Sequence, residues 1–577
     1  MRERHAFVLA GLIAMAAPGQ PQPPITFSAQ AQVVRIEAVV TDRSGHPVRD
    51  LSLEDFSVFE DGRPKAVRDF HDGKDAGSAS GLHAGASSTG AAPAGVPRGP
   101  AADPLTFVVY VDNRNLMQGD RARVLPGIKS FLSSQLELGN AAAVVISAGQ
   151  AMQLVTPLTS DAAKVIEGLD GLRGQPVHGQ VTRMGERQAL DAVKGLLEGG
   201  GIGCDDLSVL QAPIRLQAEI RSQELQLLLS RINAVLQPLG ALAGSKVFFY
   251  VSSGLEQRPA IDLFFHLGDL CPTAFQKAFS LLMAPMQEYD LSRAFTTLAA
   301  HANVNRVTFY PIDASGLRGP PLGDLSEGNR RFVFSPKASA LRTENLRSGQ
   351  WILADQTGGS AVFDANFPKK AMTLLADQIR SHYTLGFVPD HEPEGKTHHL
   401  RVEVHRRGVR VRHTRTYYHG VGTEASVRRS MAALLGDPGT DTLGANISLE
   451  RRPIAEDRTN TAEVQLRIRV PLTHLSPLER TGSSPRARIR VIIAVWSTAG
   501  GVEGNAPELR ERVFEVPLAP ARANDTAATV WHELVVGVPV PATAADADFA
   551  VGVIDTVSNL ATYRRLSLGG PGALGGE

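Results

Sequence analysis

The residues with most chemical promise close an apolar run, Thr106-Phe107-Val108-Val109-Tyr110-Val111, which ends on Asp112 and continues Asn113-Arg114-Asn115-Leu116. A short run rich in β-branched and aromatic residues reads as a strand buried on both faces. Asp112 then stands at the carboxyl end of that strand, the edge at which open α/β sheets bind ligands. A carboxylate there can grip a hard cation or accept hydrogen bonds from a ligand. Other constellations promise less. The acidic residues Glu54, Asp55, Glu60 and Asp61 lack the oxygen spacing of a calcium loop and read as solvated turn carboxylates. His398, His399, His405, His413 and His419 are scattered along a polar edge and read as solvated side chains rather than a metal site. Gly199-Gly200-Gly201-Ile202-Gly203 has no Lys-Ser/Thr to hold phosphate, and neither a Gly-x-Ser-x-Gly elbow nor a His-Glu-x-x-His helix occurs. Nothing in the sequence argues for catalysis.

Two cysteines occur, Cys204 and Cys271. In an oxidising compartment an even pair invites a disulfide, and two separate thiols is the alternative reading. Export is expected from the amino terminus, where basic residues at 1–5 precede an apolar run at 6–17 and then small residues and Pro18, the layout of a secretory signal peptide over residues 1–26. That run is short for a bilayer span, no cysteine follows it to carry a lipid, and no later stretch reads as a transmembrane helix. An extracytoplasmic location, periplasmic or secreted, follows. Lys plus Arg and Asp plus Glu both number 59, so no charge excess favours nucleic acid or an anionic membrane surface.

At 577 residues the chain exceeds one hydrophobic core. Residues 27–72 read as a small all-β module, with an alternating strand up to Thr41 and an Asp61-Gly62 hairpin. Residues 73–103 collapse to Gly, Ala, Ser and Pro and read as a flexible linker. Residues 104–390 repeat strand and helix, and the final strand of this unit is expected at Tyr383–Val388. Alternation of this kind implies an α/β domain with a doubly wound, mostly parallel, Rossmann-like sheet. The helical stretch Leu207 to Leu236 carries Leu and Ile at helical spacing and reads as a core helix. Closing strands at 391–420 either extend that sheet or pack with the amino-terminal module. Residues 421–443 read as a second linker, and strict alternation from Glu463 to Val470 with later strands makes 444–570 a C-terminal β-sandwich.

The strand ending in Asp112, then Ala-Ala-Ala-Val-Val-Ile-Ser and Gly-Ser-Lys-Val-Phe-Phe-Tyr-Val-Ser-Ser-Gly, resembles a von Willebrand factor type A (vWA) domain. The framing motifs Val-Thr-Asp-Arg-Ser-Gly-His-Pro-Val, Leu-Glu-Asp-Phe-Ser-Val-Phe-Glu-Asp-Gly, Thr-Gly-Gly-Ser-Ala and Tyr-Thr-Leu-Gly-Phe-Val-Pro resemble the secreted bacterial proteins called VWFA-related Acidobacterial domain proteins. The likeness covers about Gln32 to Tyr418. It implies a metal-ion-dependent adhesion site in which an Asp-x-Ser-x-Ser loop, a Thr and a later Asp hold magnesium. In this chain only Asp112 of that loop is kept, because Arg114 and Leu116 stand where the serines belong. Ser252-Ser253-Gly254 replaces the usual Ser-Asp-Gly, and Thr182 is the candidate threonine. Arg114 is expected to bring a fixed positive charge to Asp112 in place of the ion. The expectation is therefore a degenerate adhesion site formed by Asp112, Asn113, Arg114, Asn115, Thr182, Ser252 and Ser253, without a cofactor, on a non-catalytic protein that binds another protein or a cell-surface ligand. The alternative is a metal-dependent ligand-binding domain, with magnesium on Asp112, or an accessory subunit of an extracytoplasmic enzyme.

Overall fold

The computed structural model describes residues 34–72, 105–148, 151–240, 242, 244–277, 284, 287–316, 335–363, 368–391, 396–419, 425–436, 441–452, 461–478, 485–496, 507–518, 530–541, 547–558 and 560–568. The expected signal peptide and first linker lie outside these residues.

The Asp112 strand, Thr106–Asp112, is the middle of a five-stranded sheet. In spatial order the strands are Ala151–Thr159, Ala141–Ala148, Thr106–Asp112, Lys246–Ser252 and Val307–Asp313. All pair in parallel except Ala151–Thr159, which returns antiparallel at the edge. The two inner strands flanking the switch of direction are buried at every residue, which is why their sequences read as unbroken apolar runs. One face carries Phe107, Val109 and Val111 against helices Asp120–Leu136, Ala162–Gly171 and Pro368–Arg380. The other carries Val108, Tyr110, Phe248 and Tyr250 against helices Leu207–Leu239 and Ser292–Val304. The central region is thus a doubly wound α/β domain with a mixed sheet.

The strand expected to end that sheet leaves it. His382–Phe387 pairs antiparallel with Val34–Thr41, register Ala38 to Tyr383. Half-buried His382 and Thr384 alternate with buried Tyr383 and Leu385 at its start, which fits a sheet with one covered face rather than a doubly covered parallel core. Together with Arg410–His413 and Asp69–Asp72 it forms one four-stranded sheet. Thr416–His419, Lys396–Val404, Phe56–Glu60 and Arg63–Lys65 form a second. The two share a core of Ile36, Ala38, Val40, Phe56, Val58, Tyr383, Leu385, Phe387, Leu400 and Val402. The amino-terminal module and the closing strands are therefore halves of one β-sandwich, and the α/β domain is an insertion between them. Gly358 and Gly359 make this junction possible. Gly358 has φ +81° and lies so close to the His413 backbone that a Cβ would stand 2.7 Å from its carbonyl carbon, while a Cβ on Gly359 would stand 1.8 Å from the carbonyl oxygen of Phe309.

The C-terminal sandwich packs Asn446–Arg452, Thr461–Pro471 and Trp531–Pro541 against Glu508–Pro517, Arg486–Trp496, Asp548–Asp555 and Ala561–Ser567. Alternate residues of Arg486–Trp496 point two ways. Ile489, Val491 and Ile493 fill the sandwich, whereas Ile492, Ala494 and Trp496 join the core of the α/β domain. Between the two lies helix Ala425–Ala432, followed by fully buried Ala433, Leu434 and Leu435. The described core of the stretch read as a second linker, residues 425–436, is thus a packed wedge, because its apolar residues find two surfaces to cover. Among the described residues, no helix is long and apolar enough to cross a membrane.

Candidate functional site

The parallel register brings Asp112, Ser147, Ser252 and Asp313 level at the carboxyl edge of the sheet. Asp112 and Ser252 end the two strands between which the chain reverses its order, the place where open α/β sheets form their ligand crevice.

Asp112 is fully buried and fully engaged. Its Oδ2 accepts hydrogen bonds from the Tyr250 hydroxyl at 2.7 Å, the Ser252 hydroxyl at 3.0 Å and Asn115 Nδ2 at 2.6 Å. Its Oδ1 accepts one from the Arg114 backbone N–H at 3.2 Å. Burial, reinforced by the Asp112 charge, raises the Tyr250 pKa well above the ordinary phenol value, so this hydroxyl remains a donor.

The side chain of Arg114 turns away from Asp112 and pairs with Glu224, contrary to the expected electrostatic substitution. Arg221 reaches Asp112 only through Asn115. Its Nη2 donates to Asn115 Oδ1 at 3.1 Å and its Nη1 to Thr182 Oγ1 at 3.3 Å and Glu224 Oε2 at 3.0 Å. Glu256 Oε2 lies 3.6 Å from its Nε. Thus Thr182 and Asn115, two of the expected oxygen donors, are turned towards a guanidinium. Burial alone would lower the Arg221 pKa, but Glu256 and Glu224 hold it above the ordinary arginine value. Burial conversely raises Glu256, against the pull of Arg221. A second cation, Arg231, lies 3% exposed on the same helix, and Asp112 and Tyr110 both interact with it electrostatically.

Helix packing explains why these arginines are inside. Along Leu207–Leu239 the buried positions Ile214, Ala218, Leu225, Leu228 and Ile232 recur at helical spacing, and Arg221 and Arg231 fall in the same register. The first part of the helix packs in a satellite core with Leu190, Val193 and Phe264, the second against the central sheet. Arg221 sits at the changeover. The network extends beyond it, since Arg342 donates to Asp262 Oδ2 at 2.7 Å and Glu186 Oε2 at 2.6 Å. Cys204 and Cys271, whose Cα atoms are 5.5 Å apart, are joined by a disulfide that clips the start of Leu207–Leu239 to helix Ile261–Leu270 beneath this network.

Ser253 does not face Asp112 either; its hydroxyl bonds Asp120, which is buried and also accepts from the Met117 N–H at 2.8 Å. Asn113 accepts from Arg121 Nη1 at 3.4 Å and takes no part in the Asp112 cluster. The rim that forms therefore joins Asp112, Asn115, Thr182 and Ser252 with Tyr250, Arg221, Glu224 and Glu256. The last four were missed in the sequence; the signal for Arg221 was a charged residue in the apolar register of a long helix.

This donor set does not suit magnesium, which requires near-octahedral oxygen ligands. The one central carboxylate already accepts four hydrogen bonds, and a fixed cation occupies the neighbouring amide and hydroxyl oxygens.

No family model matches the chain, and no curated protein matches it. Solved structures that align with it include a von Willebrand factor type A protein from Catenulispora acidiphila, at 9% identity over 81% of this chain and 66% of that one, TM-score 0.18. The open form of the pilus adhesin SpaC from Lactobacillus rhamnosus GG aligns at 8% identity over 81% of this chain and 56% of that one, TM-score 0.25. An ApaA protein from Bordetella pertussis aligns at 12% identity over 23% of this chain and 98% of that one, TM-score 0.15. Superpositions this loose carry no functional argument, and the reading below rests on the site.

Proposed function

We propose that this chain is an extracytoplasmic, non-catalytic interaction protein whose vWA-like domain binds a protein or cell-surface ligand at the Asp112 rim without a metal ion. The observation that supports this reading is the engagement of Asp112 by four donors, one of which, Asn115, itself accepts a hydrogen bond from Arg221. A buried network so braced is a rigid support for the surface above it, since its charged groups are committed to one another. Exposed apolar residues support the binding role. Val181 and Met184 on helix Gly179–Glu198 and Leu216 and Ile220 on the neighbouring helix lie beside the Thr182–Arg221 contact in sequence, all between 44% and 64% exposed. Exposed aliphatic side chains are a feature of contact surfaces.

Capture of ligands from the native cell envelope on immobilised full-length protein tests the reading. Binding is expected to persist in chelator and to be lost in a Val181→Asp, Ile220→Asp double variant. Binding that chelator abolishes, or that the double variant leaves intact, contradicts it.

A further inference from the structure

The β-sandwich that frames the α/β domain contains a second cluster, unrelated to the Asp112 rim. Glu60 closes strand Phe56–Glu60 and is only 3% exposed, which overturns its reading as a solvated turn carboxylate. His398, on strand Lys396–Val404, is 7% exposed, and His391 follows the end of His382–Phe387 half-buried. One ligand atom from each of Glu60, His391 and His398 lies within 4.8 Å of the others. His391 Nε2 stands 3.2 Å from Glu60 Oε1, and the two imidazole centroids are 4.4 Å apart.

We propose that Glu60, His391 and His398 form a binding site for a divalent transition ion of the zinc class. Two imidazoles and one carboxylate are the donors that borderline cations take, and three protein ligands leave one tetrahedral position open. The surroundings fit this use. Asp61 Oδ2 lies 2.8 Å from His398 Nδ1, which fixes the ring and directs Nε2 inward, the carboxylate–histidine support found behind metal-binding imidazoles. Tyr417 donates its hydroxyl to Glu60 Oε1, and Lys65 Nζ stands 2.7 Å from Oε2, so the carboxylate is oriented from both sides. An ion here ties the strand that precedes the α/β insertion to the segments that follow it, closing the sandwich on both sides of the inserted domain.

Equilibrium dialysis of the full chain against zinc, with cobalt substitution read by its visible absorption, tests the site. One tight equivalent per chain is expected, with binding weakened by more than tenfold in His391→Ala and His398→Ala and roughly tenfold or more in Asp61→Asn. His391 is half-buried at a strand end, and circular dichroism of His391→Ala checks that the fold survives. Absence of a tight equivalent in the wild type, or equal zinc affinity in a folded His391→Ala, overturns the proposal.

Discussion

At the carboxyl edge of the central sheet Asp112 is ringed by hydrogen-bond donors, one of them held in turn by a buried guanidinium, whereas in the outer sandwich Glu60 is faced by two imidazoles with its orientation held by Lys65 and Tyr417. Both are buried carboxylates near basic groups. The difference is in the kind of base. An arginine stays charged and satisfies the carboxylates around it permanently, while an imidazole near neutral pH can give up its proton and offer a lone pair. The chain sets a cation of its own near both carboxylates, Lys65 on Glu60 and Arg231 in the field of Asp112, but only Glu60 also has two imidazoles whose ligand atoms converge with it.

Substitutions can break this contrast in order of expected size. Arg221→Met leaves Glu224 and Glu256 beside an uncharged side chain in a buried setting, and denaturant unfolding should show a loss of roughly 3–5 kcal/mol. A change below about 1 kcal/mol would show that the network is slack and the locus adaptable. The second effect belongs to the sandwich. His413 is 1% exposed, its Nε2 accepts from the Val402 N–H at 3.1 Å, and its Nδ1 lies 2.9 Å from the Thr414 carbonyl oxygen, an arrangement that suits the neutral ring. Burial lowers its pKa from 6.5 to about 4. The folded value lies below the unfolded one, so this contribution is complete above pH 6.5 and is lost as pH falls towards 4, on the order of 3 kcal/mol. Urea midpoints across that range should slope in the wild type and flatten in His413→Gln. Asp112→Asn is smaller, about 2 kcal/mol, because the shape is kept while the donors Tyr250, Ser252 and Asn115 lose a charged acceptor. A stabilised Asp112→Asn would mean that the carboxylate is held under strain for a ligand.

The legible part of this molecule was the part written in short-range pattern. The doubly buried strands Thr106–Asp112 and Lys246–Ser252 announce themselves as apolar runs, and the position of Asp112 follows from them. Partnership at long range was not legible. Nothing local tells Tyr-Thr-Leu-Gly-Phe that it pairs with Val34–Thr41 rather than with the central sheet. Proximity in sequence points Arg114 at Asp112, but a side chain that long, rising from the turn after the strand, reaches Glu224 on helix Leu207–Leu239. Glu60 reads as a turn residue until its contacts with His391 and Tyr417, 331 and 357 positions away, are known. For Arg114 and Glu60 the decisive factor is a charged partner that only the folded topology supplies, and for the strand it is a distant pairing edge.

The central claim is that the chain's own groups fill the cation locus over Asp112. Thermal unfolding of the full chain, titrated with magnesium from chelator to the millimolar range, tests it directly. The melting temperature should stay unchanged in the wild type and in Asp112→Asn. A saturable rise in the wild type that Asp112→Asn abolishes would show an ion seated on that carboxylate and contradict the account.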